Sequence, residues 1–287
     1  MRNANIAVSD MHVGHRGAIM YPDPNLSHKP NKVQKWVFKS FVTFQDQLDA
    51  VLNQYKVDHI HLQVTGEAAD IDAKQRHRSE HWEFDETLIV ENASRLLDPL
   101  YKLVDLGVHF IRGTGAHVGP GGRMDNLVAK DCDVVIASDK RSSAYAWGVA
   151  DYLLGGVHCM ARHHGLKGFK WAGDKALVSF REEMKLTYYN TGQPLPDVVY
   201  GGHFHKSMQT QLPRTKATTP HVIQLPSWKT PYRDEFVERI DPMAPTPYVG
   251  GHLLIEDDGE VIFSEELLYS YPHRRIRKLK PLEPISK

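Results

Sequence analysis

Two hydrophobic periods take turns along this chain, one of two residues and one of three to four, which mark strands and amphipathic helices respectively. Asn5-Ile6-Ala7-Val8-Ser9 reads as a short strand that ends at Asp10. Residues 20–32 carry Pro22, Pro24 and Pro30 and read as a loop. Over 33–54, Val33, Trp36, Val37, Phe41, Phe44, Leu48, Val51 and Leu52 fall on one face of a helix. Residues 59–65 alternate and predict a second strand, closed by Gly66-Glu67. A second helix is predicted over 83–105, with Leu88, Ile89, Leu96, Leu97, Leu100 and Leu103 buried and Pro99 as a candidate kink. Strands follow at 108–112, 133–137 and 157–161, then a helix at 174–189 and a strand at 198–200 that runs into Gly201-Gly202. The last predicted strands are 221–225, 251–255 and 261–263, with Asp257-Asp258-Gly259 as a hairpin turn. Strand–helix alternation in the first half predicts parallel βαβ units, whereas the last ninety residues are strand-rich.

Composition narrows the class. The 287 residues are 41% hydrophobic and 24% charged, which excludes disordered, collagen-like and coiled-coil chains. Length predicts one main domain, taken as residues 1–270, followed by a basic tail at 271–287. Lys and Arg number 35, as do Asp and Glu, so no whole-protein field for polyanions exists. The run His273-Arg274-Arg275-Ile276-Arg277-Lys278-Leu279-Lys280 is either a solvated tail or a contact to a phosphate backbone. No apolar run reaches the roughly 18 residues of a membrane span, and no membrane partner is expected. The N-terminus leads into a strand and not into a signal peptide's apolar core. Cys132 and Cys159 are the only cysteines, too few for a disulfide framework, which predicts a reducing, cytoplasmic setting.

The 17 histidines are the unusual number, and their placement is informative. Asp10 and His12 follow the first strand, Glu67 and Asp70 the second, and His117 the third. His163 and His164 follow the strand at 157–161, and His203 and His205 follow the strand at 198–200. Ligands of open α/β sheets bind outside the carboxyl ends of the strands, so these groups are predicted to meet at one edge. A single histidine after a strand is ordinarily a hydrogen-bonded surface or core residue. Gly-His-x-His is rarer, because two imidazoles one residue apart face the same way only across a sharp bend, which Gly201 and Gly202 permit. His59, His61, His77, His81, His109, His221, His252 and His273 lie elsewhere and are assigned structural or surface roles. Neither cysteine sits in a phosphate-cradling loop. Gly119-Pro120-Gly121-Gly122 lacks the Lys-Ser/Thr of a P-loop and reads as a loop beside His117 that borders the substrate.

The order of these motifs resembles the calcineurin-like metallophosphoesterase family. That family's pattern runs Asp-x-His, Gly-Asp-x-x-Asp, Gly-Asn-His, a lone His and Gly-His-x-His. This chain has Asp10-Met11-His12, Gly66-Glu67-Ala68-Ala69-Asp70, Gly113-Thr114-Gly115-Ala116-His117, His163-His164-Gly165 and Gly202-His203-Phe204-His205, all within residues 6–205. Its altered middle is similar to that of phage-type members of the family, which implies a viral or prophage source. The resemblance implies a four-layer α-β-β-α sandwich of two mixed sheets flanked by helices. It implies two divalent metal ions, with Asp10, His12 and His205 on the first and His163 and His203 on the second. Glu67 takes the place of the bridging Asp, and either His163 or His164 matches the lone His, with His163 preferred. Ala116 stands where the family has an Asn ligand, which implies a weaker second metal with Thr114, water or substrate at that position. His117 matches the catalytic histidine.

Imidazole and carboxylate ligands suit Mn foremost, and also Fe, Zn or Ni. Two such ions bind phosphate oxygens and lower the pKa of a bound water, and His117 serves the transition state or the leaving oxygen. The function implied is hydrolysis of a phosphate ester, with a phosphodiester ahead, so that the chain is a nuclease or phosphodiesterase and nucleic acid is a candidate partner. The alternatives are a phosphomonoesterase or protein phosphatase, and a degenerate metal-binding scaffold without catalysis, which Glu67 and Ala116 motivate.

Overall fold

The structure is a computed structural model that describes residues 1–75, 78–139, 143–164, 174–210, 220–230 and 248–271. The first sheet contains β1 (Arg2–Ser9), β2 (His59–Thr65), β3 (Val108–Ile111), β4 (Ala146–Trp147), β10 (Tyr248–Asp257) and β11 (Glu260–Ser270). Its order is β11-β10-β1-β2-β3-β4; β1 to β4 are parallel, and β10 and β11 join antiparallel. The second sheet contains β5 (Val149–Leu154), β6 (Val157–Arg162), β7 (Val198–Gly201), β8 (Met208–Gln209) and β9 (His221–Gln224), in the order β5-β6-β7-β9-β8. Within it β6, β7 and β9 are parallel. The chain crosses between sheets at Gly148, the single residue separating β4 from β5.

Helices close both outer faces, giving the four-layer α-β-β-α sandwich. The long helix α1 (Lys32–Tyr55) starts at Asn31, whose side chain accepts the Gln34 N–H while the Gln34 side chain accepts the Asn31 N–H, a reciprocal cap. Helix α2 (Glu86–Tyr101) is capped by Asp85 and carries Pro99 in its final turn. The short α3 (Gly115–Val118) and α4 (Arg123–Lys130) complete that side, and α5 (Asp174–Thr191) lies on the other. Strand alternation assigns each residue to a layer. On β1, Ile6 and Val8 pack toward the first helical layer and Ala7 packs between the sheets. On β7, Val198 and Tyr200 face the other sheet, whereas Val199 meets Leu177, Phe180 and Met184 of α5.

The space between the sheets is not wholly apolar. His61 Nδ1 lies 2.6 Å from Asn5 Oδ1 and His61 Nε2 lies 2.7 Å from His109 Nδ1. Tyr152 Oη donates to Gln63 Oε1 at 2.7 Å, and Gln63 Nε2 donates to Thr65 Oγ1 at 2.6 Å, at the upper end of β2. Polar residues at every second position of β2 therefore face inward and satisfy one another, as burial requires.

Two sequence expectations need correction. The segment 133–137 is not a strand: Val135 makes a lone bridge to Val108, and Ala146–Trp147 extends the sheet instead. Asp133 and Val134 lie in a turn directly after α4, so the apolar run has no room to extend. The strand at β5 was not predicted; Val149 and Leu153 on its outward side are apolar yet exposed, which hides the alternation. His77, His273 and the basic run 273–280 lie outside the described residues.

Candidate metal centre

Five parallel strands, β1, β2 and β3 of one sheet and β6 and β7 of the other, end at one edge of the sandwich, and their carboxyl-terminal loops carry the predicted residues. Asp10, His12, Glu67, His203 and His205 all adopt positive φ, at 51°, 48°, 53°, 79° and 53°. Left-handed backbone at non-glycine residues is costly, and its concentration here marks a site whose geometry the rest of the fold enforces. Two glycines let the loops meet. Gly66, at φ 73°, lies against the His163 ring, leaving no room for a side chain. A Cβ on Gly202 would fall 2.5 Å from Ser9 Oγ and 2.8 Å from His163 Nδ1.

The expected ligands form two adjoining groups. Asp10, His12, Glu67 and His205 place ligand atoms within 4.8 Å of one another, and so do His163, His164 and His203. Within the first, His12 Nε2 is 2.6 Å from Glu67 Oε2, and His205 Nε2 is 3.2 Å from Asp10 Oδ1. Glu67 reaches both groups, because its Oε1 is 3.3 Å from His163 Nε2. The same Oε1 accepts the Thr114 N–H at 3.1 Å. His164 and His203 rings pack 4.5 Å apart, so the strand end offers both histidines at 163 and 164 where the sequence posed a choice. The side chain of Ala116 has no donor atom for the second group, and Thr114 Oγ1 lies 3.4 Å from His203 Nδ1.

Hydrogen bonds behind the ligands fix which nitrogen faces the centre. His163 Nδ1 donates to the Thr65 carbonyl at 3.1 Å, leaving Nε2 toward Glu67. His12 Nδ1 donates to Asp70 Oδ2 at 2.8 Å, and its Nε2 stays with the ligand group. Asp10 Oδ2 accepts from Ser9 Oγ and from the His203 N–H at 3.0 Å, which leaves Oδ1 inward. The loop after β9 holds Asp10 from behind: Ser227 Oγ and Trp228 N donate to its carbonyl at 2.9 and 3.1 Å. Asp10 Oδ1 and His163 Nε2 are buried and take part in no hydrogen bond, although every other polar atom of those two side chains is engaged.

No family model matches the chain, and no curated protein does. Among solved structures, the vacuolar protein sorting 29 of Cryptosporidium parvum is similar at 10% identity and a TM-score of 0.37, over 94% of this chain and 99% of that one. A novel phosphatase from Mycoplasma pneumoniae is similar at 9% identity and 0.43, over 94% of each chain. The sulfate thiohydrolase SoxB of Thermus thermophilus is similar at 8% identity and 0.41, over 94% of this chain and 56% of that one. At these scores the likeness carries no inference about chemistry, which rests on the side chains themselves.

Electrostatics fit cations. Burial would raise the carboxyl pKa values, yet His163 and His205 hold Asp10 below its ordinary value, and His12 and His163 hold Glu67 well below. Burial and the nearby Lys229 ammonium oppose a charged His12, but Glu67 and Asp70 outweigh them and raise it. For His163, burial is likewise outweighed, by Asp10 and Glu67, and its pKa rises to about 9. Protons therefore take the positions where positive charge is wanted. The donor set of imidazoles and carboxylates, and two buried inward atoms without hydrogen bonds, fit divalent metal ions.

Three residues that the sequence does not assign as ligands or as the catalytic group support the site. Asp70, the last residue of the Gly-Glu-Ala-Ala-Asp stretch, is fully buried and receives His12, His117 and His81. Hydrogen bonds from His117, His12 and His81 overcome its burial and keep it ionised. His81, expected to be structural or surface, is buried with Nε2 3.1 Å from Asp70 Oδ1. Asp125 of α4 accepts the Ala68 and Gly113 N–H groups at 2.9 and 2.7 Å, tying the loops after β2 and β3 together. Its sequence context, a carboxylate in the first turn of a short helix, carries no signal of that role. Among the described residues no helix is long and apolar enough to cross a membrane.

Proposed function

We propose that this chain is a metal-dependent phosphoesterase of the calcineurin-like metallophosphoesterase family, acting in the cytoplasm on a phosphodiester. The reading is carried by Glu67, whose two oxygens reach two separate groups of histidines, His12 at 2.6 Å and His163 at 3.3 Å. In the proposed site Asp10, His12, His205 and Glu67 would hold one ion, and Glu67, His163, His203 and His164 would hold the other. Bound ions of this type polarise phosphoryl oxygens and supply a nucleophile at neutral pH, and Mn is the first candidate.

The chain's own groups supply the rest. His117 Nδ1 lies 3.0 Å from Asp70 Oδ2, so Asp70 orients the ring, while Nε2 is left for the substrate. With the side chain 30% exposed, His117 is reachable from solvent, unlike the buried His12 beside it, and it delivers a proton to the leaving oxygen.

Metal analysis together with turnover tests this function. The purified protein should bind two equivalents of Mn²⁺ and hydrolyse bis(p-nitrophenyl) phosphate faster than p-nitrophenyl phosphate. Glu67→Gln should bring stoichiometry toward one and abolish turnover. One equivalent or none in the parent, with no turnover under Mn, Fe, Zn or Ni, would identify a scaffold instead.

A further inference from the structure

Beside His117 the surface opens into a cavity of about 330 Å³ that the ligand groups do not use. Its floor is joined to the centre by hydrogen bonds. Ile71, on its wall, donates its N–H to the His117 carbonyl at 3.0 Å, and Asp72 donates its N–H to Asp70 Oδ1 at 2.9 Å. Gly119 and Pro120, directly after α3, form another wall. The Gly119-Pro120-Gly121-Gly122 loop, which the sequence places beside the substrate, therefore bounds this cavity.

Its chemistry is that of a flat, nearly neutral aromatic ligand. Phe84 is 46% exposed, which is unusual for a phenyl ring beside a polar centre. The inner side of Phe84 meets the His81 ring at 6.1 Å, and His81 touches Asp70. The Arg78 guanidinium lies 4.8 Å over the Phe84 ring and covers a face of it, so a planar ligand would stack on the guanidinium that Phe84 backs. Two cations, Arg78 and Arg123, are balanced by two anions, Asp72 and Glu86, and Arg123 is already paired with Glu86. That balance disfavours a second phosphate. Phenyl and guanidinium planes edged by carboxylates and amides are what stack and hydrogen-bond a nucleobase.

We propose that this cavity binds the nucleobase of the leaving nucleoside in a nucleotide phosphodiester, with Phe84 and Arg78 as the stacking surface. Its place on the His117 side makes it a leaving-group subsite, because that histidine protonates the oxygen that departs. The inference rests on the phosphoesterase reading above and specifies its substrate class.

Two measurements test it. In the first, kcat/KM for the dinucleotide TpT is compared with that for the methyl phosphodiester of thymidine 3′-phosphate, in which methanol replaces the 5′-linked thymidine, and the products (thymidine 3′-phosphate or methyl phosphate) show which ester oxygen departs. TpT should be preferred by about ten-fold, the usual scale of one stacked base. Phe84→Ala should collapse that ratio toward one, and Phe84→Tyr should restore it. In the second, calorimetry compares AMP with ribose 5-phosphate on the purified protein. AMP should bind about ten-fold more tightly in the parent and Phe84→Tyr, with the difference lost in Phe84→Ala. Turnover of both esters at equal rates overturns the subsite and leaves the phosphoesterase standing. If neither ester turns over, the phosphoesterase reading fails, and equal binding of AMP and ribose 5-phosphate then overturns the subsite as well.

Discussion

His12 and His117 share a single carboxylate oxygen: Asp70 Oδ2 lies 2.8 Å from Nδ1 of the first and 3.0 Å from Nδ1 of the second. The two rings meet edge to face, 4.8 Å between centroids. One buried residue thus sets the tautomer of a proposed ligand and of the proposed acid. The two roles separate by mutation. His117→Ala should lower turnover 10²–10⁴-fold, on the order expected of a general acid, with bound metal nearly unchanged. Asp70→Asn should lower turnover and weaken metal binding by about 10–100-fold, because the His12 Nδ1 partner changes character. Metal titration with kinetics of both variants checks this. Metal loss in His117→Ala equal to that in His12→Ala would make His117 a ligand.

The second group of proposed ligands contains three imidazoles, His164 with His163 and His203, and the methyl side chain of Ala116 has no donor to add. His164→Ala should weaken the second Mn²⁺ step in a titration by about ten-fold or more and leave the first step in place. Ala116→Asn should move neither step. A gain in the second step from Ala116→Asn would show that residue 116 does reach the ion.

Metal uptake should release protons. In the metal-free protein, His163 holds its proton up to about pH 9, because Asp10 and Glu67 outweigh burial. His12 is raised as well. A ligand nitrogen must give up its proton to coordinate, so apparent metal affinity rises with pH and levels off only above about 9. Calorimetry at pH 7.5 in two buffers of different ionisation enthalpy counts the protons. At least one per protein is expected. Zero, with an affinity flat from pH 6 to 9, would contradict the assigned electrostatics.

Acid should destabilise the fold through histidines away from the centre. Burial pushes the His61 and His252 pKa values down to about 3, with His109 adding to the first and His221 to the second. Their unfolded values lie near 6.5, so below that pH the unfolded chain takes up protons that the folded chain refuses. Stability is undiminished above pH ~6.5 and falls as pH drops from there toward 3, by ~2 kcal/mol for each group at pH 5. The raised His163 is already protonated when folded across this window and does not offset the loss. Urea midpoints at pH 7 and pH 5 measure the effect. His252→Gln, which keeps a partner for Ser264 Oγ at 3.1 Å, should remove ~2 kcal/mol of the pH dependence and leave the rest, since burial also lowers His15 to about 2 and His109 to about 4. Equal parent midpoints at the two pH values would refute it.

Most of the helices and strands, and the edge at which they deliver their polar groups, are legible in the sequence, whereas β4, β5 and β8 are not. Helical periodicity in α1 and α2, alternation in β2, and glycine after a strand are local properties, and backbone geometry reads them directly. The positions of Asp10, His12, Glu67, His163, His203 and His205 at strand ends follow from those boundaries alone. Tertiary structure decided the rest. Whether one carboxylate meets one histidine or three depends on which loops pack together, and nothing near Asp70 in sequence announces His12, His81 and His117 around it. The choice at 163 and 164 could not be made locally either, because adjacent side chains after a strand can both turn toward a centre once the backbone leaves the pleat. The strand at 133–137 failed for the same reason: its apolar run suits a sheet, but the turn after α4 and the arrival of β4 leave it one bridge to Val108. Local sequence sets what each segment favours; the partner that buries it is chosen by contacts far along the chain, where side-chain volume and unsatisfied hydrogen bonds select among the arrangements that local preference allows.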